Sequence, residues 1–226
     1  SVLYRSAETT LLLEESQMDP GYLANGGLSS YDSVSSYLEK GKYRLYTSLL
    51  GLRQEDFAAY CAAIGADPAH FGPDAGVLVN DAAGNVESIL KQNKLASGPL
   101  IQVAPGDQFT GYDRMYLEQE GHTASFGFTV GAVTNRYPEI QKSAFPNTLT
   151  LIVPMETYDR FTAGFDPADT LRYRRTYMKL RIDKAELPAA QTEANAILGE
   201  ALPEEDYLTW SHNDSIQQTR EGSQMM

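Results

Sequence analysis

The stretch from Ala124 to Phe161 constrains the fold of this chain more than any other segment. Ala124–Thr134 has the residue pattern of a β-strand, and Leu149–Val153 is a continuous apolar run with the length of a buried strand. Pro154 then stands where a helix begins, ahead of Glu156–Phe161. The segment therefore predicts two strands followed by a helix, and it contains no pattern of residues that carries out covalent chemistry.

The composition bounds the size and the partners of the protein. A chain of 226 residues that is 42% hydrophobic fits one large domain or two small lobes with a real core. The formal net charge is −12, with 18 Lys and Arg against 30 Asp and Glu. Phosphate backbones and anionic lipid headgroups both repel such a surface, so we expect no nucleic-acid partner and no peripheral membrane binding.

Cysteine usage and the chain ends leave the cellular compartment open. Cys61 is the only cysteine, so neither an intrachain disulfide nor a thiolate metal cluster can form within one chain. The sequence has no apolar run of membrane-span length and no signal-peptide layout at its start. The sequence begins at Ser1 without an initiator Met and ends at Met226 without a capping pattern, so we interpret it as a fragment of a longer protein.

Local patterns predict further elements on both sides of the first segment. Glu8–Gln17 is compatible with a helix, and residues 24–41 are small and polar like a loop with weak strand character. In Arg53–Ile64 the apolar positions recur at helical spacing, and Gly65 follows where a left-handed C-terminal residue belongs. Further strands are predicted at Tyr43–Leu49, Gly76–Val79, Pro99–Val103 and Gln108–Gln119, and their turn signals favour an antiparallel meander.

The last third of the sequence changes character. Thr176–Ile182 alternates between apolar and polar residues, as a strand with one solvated face does. Pro188 suits the first position of a helix whose apolar stripe reaches Ala201, and Tyr207–Trp210 is a short strand. Strand, helix and strand in this order predict half of a split βαβ unit.

No catalytic, cofactor or metal site is predicted from the sequence. None of His70, His122 and His212 has a partner at metal-ligand spacing. His212–Ser215 places several catalytic residue types side by side, but a triad is assembled from distant positions, so we interpret this run as a capped helix start. Gly127–Gly131 lies inside a strand pattern, which excludes a phosphate-binding loop there.

Two residue groups leave a binding role open. The one dense basic run fits either an acidic partner or lipid, or the solvated face of a strand. Tyrosines concentrate in the middle and late sections, where they fit either partner recognition or the core and sheet. The basic run is Arg172, Arg174, Arg175, Lys179 and Arg181, and the tyrosines are Tyr112, Tyr116, Tyr137, Tyr158, Tyr173 and Tyr177.

Four segments carry, in this order, a resemblance to a known family. They are the helix Leu52–Ile64 with Gly65-Ala66-Asp67-Pro68 and Phe71, the strand Gly76–Asn80, the pair around Gly131–Thr134 with Tyr137-Pro138, and Leu151–Pro154 with Tyr158. From about Tyr43 onward the chain resembles the extracellular domain of MacB-like or FtsX-like ABC transporter permeases. The family has no catalytic position in this domain, so the resemblance transfers no functional residue and no substrate.

The resemblance implies a two-lobed α+β fold. One lobe, membrane-proximal and built as a split βαβ unit, would comprise about 1–72 and 168–226, and a β-rich lobe would be inserted over about 73–167. Hinges are expected near residues 72–76 and 164–170. Residues 1–226 would then form a single extracellular domain between two transmembrane helices.

The resemblance also implies a function. The domain would lie at the extracellular face of the cell membrane and would not be an enzyme, because a separate cytosolic ATP-binding subunit hydrolyses ATP. It would couple that hydrolysis to transport or mechanical signalling outside the membrane. Expected partners are the ATP-binding subunit, a second permease copy, and an unknown extracellular peptide, lipid or protein.

Two other functions compete with this one. A secreted or surface-anchored binding module would use the tyrosines and would have no flanking membrane spans. A hydrolase with an unrecognised site would need a cleft in which His122 or His212 meets a carboxylate and a nucleophile.

Overall fold

The first strand of the chain, Val2–Leu13, pairs along both of its edges, and this pairing closes the sheet into a ring. The structure is a computed structural model. It describes residues 2–24, 38–39, 41–83, 98–113, 124–139, 147–165, 174–178 and 185–201. Two compact units divide the chain, Ser1–Met178 and Lys179–Met226, and the ring belongs to the first.

The elements are numbered along the chain. The strands are β1 (Val2–Leu13), β2 (Leu38–Glu39), β3 (Lys42–Leu52), β4 (Ala75–Val79), β5 (Gln108–Asp113), β6 (Ser125–Thr134), β7 (Leu149–Pro154) and β8 (Arg174–Met178). The helices are α1 (Pro20–Ala24), α2 (Gln54–Ile64), α3 (Met155–Thr162) and α4 (Leu187–Ala201), with 3-10 turns at Glu15–Gln17 and Pro68–His70.

Six strands form the ring, in the order β1, β3, β7, β4, β6, β5 and back to β1. The β3–β7 and β4–β6 ladders are parallel, whereas the other ladders of the ring are antiparallel. β2 pairs with the first residues of β3, and β8 pairs with the first half of β1, so both lie outside the ring. The architecture is a closed six-stranded mixed barrel with two short strands attached.

Strands β4 and β7 and the last four residues of β3, Leu49–Leu52, are buried on both faces, which explains their apolar sequences. Leu49 and Leu151 belong to a first core cluster, to which β1, β4 and β6 also contribute. Their neighbours Leu50 and Ile152 belong to a second cluster, together with Phe57 and other residues of α2. Because side chains alternate across a strand, the two clusters lie on opposite faces of the sheet, and α2 covers the outer one.

The sequence of α2 specifies both its ends and its buried face. Glu55 and Asp56 lie in the first turn, where their negative charges interact favourably with the positive end of the helix dipole. Gly65 follows the helix with a φ of 77°, and its N–H donates to the carbonyls of Ala62 and Cys61. This confirms the predicted helix and its left-handed C-terminal residue.

Two segments close the ends of the barrel. At the end where β3 and β7 begin, Met18 pairs with Ile101 in an isolated bridge, and both side chains are buried in the first cluster. At the opposite end, α3 follows directly from β7 and packs Tyr158 and Phe161 into the same cluster. The ring of Phe161 stacks on Phe126 of β6 with centroids 4.5 Å apart. The first core cluster is thus covered at both ends.

Two strand glycines make room for aromatic side chains. A Cβ atom at Gly51 would lie 2.5 Å from the Cβ of Tyr158, and one at Gly111 would lie 2.4 Å from the ring of Phe126. Gly111 and Phe126 are register partners on β5 and β6, so the ring lies over the glycine that it faces. Glycine at these positions is required by the close approach of a ring.

The prediction of a two-lobed α+β fold with a split βαβ lobe is wrong. β1 and β3, assigned to the first lobe, pair with β5 and β7, assigned to the inserted one, in one closed sheet. The hinge expected at residues 72–76 overlaps β4, which pairs on both edges and belongs to this sheet. Most of the other hinge, residues 166–170, lies outside the described residues.

The helix expected at Glu8–Gln17 is also wrong, because these residues are mostly strand β1 and a short 3-10 turn. Three consecutive leucines fit a helix locally, but Leu11 and Leu13 point into the first core cluster. Pairing with β3 overrides the local preference. The strand expected at Pro99–Val103 is a single bridge at Ile101.

The other predicted strands and helices form where the structure describes them, but the strands are not an antiparallel meander, because β4 and β6 pair in parallel. Strands form in β3, β4, β6 and β7, and helices form at α3 and α4. β5 ends at Asp113 and β8 at Met178, and the remaining residues of those two predicted strands lie outside the described part of the chain. So do Tyr207–Trp210 and most of residues 24–41. In the second unit, α4 is the described element.

We expect two paired threonines to respond oppositely to replacement by valine. Thr9 and Thr47 are register partners and are buried, but only the Thr9 hydroxyl donates a hydrogen bond, to the Thr47 carbonyl at 2.9 Å. Thr47→Val removes an unpartnered hydroxyl and should raise the free energy of unfolding by about 1 kcal/mol, whereas Thr9→Val should lower it by about 1 kcal/mol. Urea unfolding of both variants measures this; changes of the same sign would contradict it.

Candidate functional site

His70, the one histidine within the described residues, is not part of a reactive cluster. His70 is exposed at the end of a 3-10 turn, and its Nδ1 lies 3.6 Å from a carboxylate oxygen of Asp67. His122 and His212 lie outside the described residues, so the structure does not test the hydrolase hypothesis built on them. Across the described ranges, no three His, Cys, Asp or Glu side chains come together in a way that holds a metal ion.

The tyrosines of the predicted binding surface are partly used for packing. Tyr158 is buried in the first core cluster, Tyr137 packs against the second, and Tyr112 is half-buried. Tyr116 and Tyr173 lie outside the described residues. Arg174, Arg175 and Tyr177 lie in β8, whose backbone alone is described, and the rest of the basic run lies outside.

Asn80 fixes the backbone at the end of the barrel where β3 and β7 begin. It directly follows β4 and is only 7% exposed. Its side-chain oxygen accepts hydrogen bonds from the N–H groups of Leu100 and Ile101 at 2.8 and 3.3 Å, and its side-chain nitrogen donates to the Ile101 carbonyl at 2.8 Å. One amide side chain therefore satisfies three backbone groups of a buried segment whose strand pairing is limited to the bridge between Ile101 and Met18.

Asp81 continues this arrangement at the next position. Its carboxylate accepts hydrogen bonds from the N–H groups of Ala83 at 3.1 Å and Gly98 at 3.3 Å. The Ala82 N–H also donates to the Gly98 carbonyl at 2.8 Å, so the chain segments at 81–83 and 98 are tied together. Asn80 and Asp81 thus position the backbone of the neighbouring segment.

A second group of polar atoms lies in the outer core behind α2. The Tyr60 hydroxyl donates to the Arg136 carbonyl at 2.6 Å, and the Tyr137 hydroxyl is buried without a hydrogen-bond partner. Burial raises the pKa of both tyrosines above its ordinary value, assisted by Cys61 at Tyr60 and by Asp81 at Tyr137. These hydroxyls therefore stay protonated.

The Cys61 thiol is inert rather than nucleophilic. It is fully buried in the second core cluster, and burial, with a smaller contribution from Asp67, raises its pKa from 9.0 to about 11. A catalytic cysteine needs the thiolate, and this environment suppresses it. The residue behaves as a small apolar side chain of the core.

Three buried polar side chains occupy neighbouring register positions on β5, β1 and β3. They are Asp113, Thr9 and Thr47, and each is at most 2% exposed. Because a substrate has no access to groups buried to this degree, the row is part of the barrel interior and not a reaction centre.

Ion pairs fix α3 on the barrel. Arg160 donates to the Pro73 carbonyl at 2.6 Å and to the Asp74 carboxylate at 2.8 Å, both just before β4. Arg5 of β1 pairs with Asp159 at 2.8 Å. All four charged side chains are about half-exposed, so each pair contributes little to stability but sets the orientation of the helix.

A shallow groove of about 380 Å³ lies along β5 and β6. It is wide open to solvent, and a Cβ atom at its Gly127 would meet only empty space. Asp74 is its one charged group, and Arg160 pairs with that carboxylate. Such a surface suits contact with a partner rather than the enclosure of a small substrate. Its lining residues are Asp74, Gln108, Phe109, Thr110, Gly127, Phe128 and Thr129.

Comparison with known proteins found no family model, no curated protein and no solved structure that matches this chain. Within the described residues, no helix is both long and apolar enough to span a membrane. The assignment of a function therefore depends on the residues themselves.

Sequence reasoning missed the role of Asn80. The signal available was a polar residue immediately after the apolar strand Gly76–Val79, since a buried polar side chain at a strand end usually bonds backbone from another segment. The partners of Asn80 are some 20 residues further along the chain, so the sequence does not reveal which segment it holds.

We expect Asn80→Ala to destabilise the fold by about 3 kcal/mol, because it leaves two N–H groups and a carbonyl unpaired in a buried segment. Urea unfolding measures the loss. The exposed Gln102, whose side chain donates one bond to the Met18 carbonyl at 3.2 Å, provides the matched control. Gln102→Ala should cost no more than about 1 kcal/mol. Equal losses of unfolding free energy in the two variants would show that the Asn80 hydrogen bonds contribute no more to stability than the single bond of Gln102.

We expect the protein to lose stability as the pH rises above about 9. Tyr60, Cys61 and Tyr137 all have a raised pKa in the folded state, so their neutral forms stabilise the fold below the unfolded-state values. Above those values the unfolded chain ionises first, and the stabilisation is lost as the pH rises toward the folded-state values.

Denaturant unfolding between pH 8 and 11 measures this loss, and two tyrosine variants separate its sources. Tyr137→Phe removes an unpartnered hydroxyl, so it should weaken the alkaline loss without lowering stability at pH 8. Tyr60→Phe also removes an ionising group but breaks the bond to Arg136, so it should cost about 1 kcal/mol at pH 8. If the free energy of unfolding falls with rising pH as steeply in both variants as in the unmodified protein, the alkaline loss does not come from these tyrosines.

Proposed function

We propose that this chain is the extracellular domain of a bacterial ABC transporter permease. In this role it couples ATP hydrolysis by a separate cytosolic subunit to transport or mechanical signalling outside the membrane. The chain itself supplies no catalytic group. The partners are that ATP-binding subunit and an extracellular peptide, lipid or protein.

One observation carries the proposal. Val2, in the first strand, is the register partner of Met178, at the end of β8, the last described strand of the first compact unit. The first unit therefore has the strand with which it begins and the strand with which it ends side by side, as a domain inserted into another chain does. This arrangement suits an insert between two membrane helices, because both of its ends must lead back to the same membrane surface.

The order of elements adds support. The segments that carry the resemblance form α2, β4, β6 and β7 with α3, followed by β8 and α4. The resemblance depends on this order rather than on single motifs. The two-lobed arrangement is not part of the proposal, because the barrel replaces it.

The chemistry of the described residues agrees with a mechanical role. The one cysteine is buried with a raised pKa, and the described histidine is exposed beside a single carboxylate. The open groove along β5 and β6 offers hydroxyl and amide groups, which suit a protein or peptide contact. These features favour binding and transmission over catalysis.

The proposal is tested on the full-length parent protein in intact cells. We expect it to fractionate with the membrane, to copurify with an ATP-hydrolysing subunit, and to carry apolar spans of about 20 residues on both sides of this domain. The Ala62→Cys variant places a thiol on the exposed face of α2, and a membrane-impermeant maleimide should label the peptide that carries residue 62 from outside the cell.

Cys61 is the internal control for this labelling, because it is the neighbouring residue but is buried with a raised pKa. The unmodified protein should therefore stay unlabelled at the same peptide. Labelling of residue 62 only after lysis would place the domain inside the cell and overturn the proposal. A parent without membrane spans would support the surface binding module instead.

A further inference from the structure

β8 is attached to the barrel but does not help to close it. The ring of β1, β3, β7, β4, β6 and β5 is complete without it. Among the described strands, β8 pairs only with β1, through five register pairs that span Val2–Ala7 and Arg174–Met178. Removing β8 would therefore break one ladder and leave all six ring ladders intact.

β1 keeps its place when β8 is absent. Its other edge pairs with β3 through ten register pairs, from Tyr4–Leu52 to Leu13–Tyr43. Four of these pairs, Tyr4 to Ala7, lie in the same half of β1 that β8 covers. The first half of β1 is thus held from the side of β3 regardless of β8.

The β1–β8 ladder is weakest at the end where the chain leaves the barrel. Its register shifts between Val2 and Tyr4, so an extra residue, Leu3, interrupts the pairing next to Met178. The chain continues from Met178 directly into the second compact unit at Lys179. A force applied to Met178 therefore acts first on the interrupted end of the ladder. An antiparallel ladder under force at one end opens one register pair at a time.

We propose that β8 is a releasable strap: it detaches from β1 as a unit while the six-stranded ring stays folded. Release lengthens the connection between the ring and the second unit by the residues of β8. It also frees the backbone N–H and C=O groups along one edge of Val2–Ala7, which are the groups that an extended peptide pairs with in β-strand addition. The inference depends on the ladders alone and holds whether or not the chain is part of a permease.

Hydrogen exchange of the 226-residue chain under native conditions tests the strap. Amides of β8 that bond to β1 should exchange at least about tenfold faster than ladder amides of β3 and β7. Within Tyr4–Ala7 successive N–H groups point to opposite edges, so the amides facing β8 should exchange with β8 and those facing β3 with the ring. This alternation distinguishes release of β8 from fraying of the whole end of β1.

Two disulfide variants complete the test. Ser6 and Arg175 are register partners across β1 and β8, and a bridge in the Ser6→Cys, Arg175→Cys variant should slow β8 exchange to the rate of the ring. The matched bridge in Glu8→Cys, Ser48→Cys joins register partners within the ring and should leave β8 exchange unchanged. Cys61 is buried and should not compete for either bridge.

The outcomes separate clearly. Fast exchange of β8 that only the Ser6–Arg175 bridge suppresses supports the strap. Exchange of β8 at the same rate as the ring in the unmodified chain means that β8 opens only in global unfolding, which overturns the inference. Neither result bears on the cellular location of the parent protein, so failure here leaves the proposed function standing.

Discussion

β1 pairs with β3 over ten residues and with β5 over three, and these two ladders turn an open sheet into a ring. Closure pairs every strand of the ring with two neighbours and so removes most of the free edges that would otherwise invite pairing with other chains. It also encloses one face of every strand, so the inner side chains form a core that needs covering only at its two ends. The bridge at Met18 and Ile101 covers one end and α3 covers the other, and both depend on the ring being closed.

Enclosure explains which polar side chains the core tolerates. Asn80 is tolerated in the interior because its amide bonds three backbone groups of Leu100 and Ile101, a segment with a single bridge to Met18, so each polar atom of the amide has a bond. Thr47 is buried with an unpartnered hydroxyl, which costs free energy that the surrounding apolar burial must outweigh. The end of the barrel at Asn80 is thus specified by hydrogen bonds, whereas the α3 end and most of the interior are specified by apolar packing.

The sequence was informative about elements and uninformative about their pairing. Helix α2 and strands β4 and β7 were predictable because their signals are local: apolar spacing, Gly65 after the helix, and continuous apolar runs. Closure of the ring was not predictable, because Leu11 and Leu13 become strand residues only through pairing with residues 34 and 30 positions away, Leu45 and Tyr43. The absence of a reaction centre stays a prediction. The Asn80 network could not be predicted, since nothing local identifies its partners.

A closed ring restricts how this domain can move. A hinge between two lobes requires a boundary that few contacts cross, whereas each strand of the ring is bonded to two neighbours, so bending at any boundary breaks ladders. Large motion at low cost is therefore confined to chain attached outside the ring. β8 is such a segment, and it directly precedes the second unit. If the domain transmits force, the ring serves as the rigid body and the β1–β8 ladder is the part that yields, which replaces the hinge between lobes as the mechanical element.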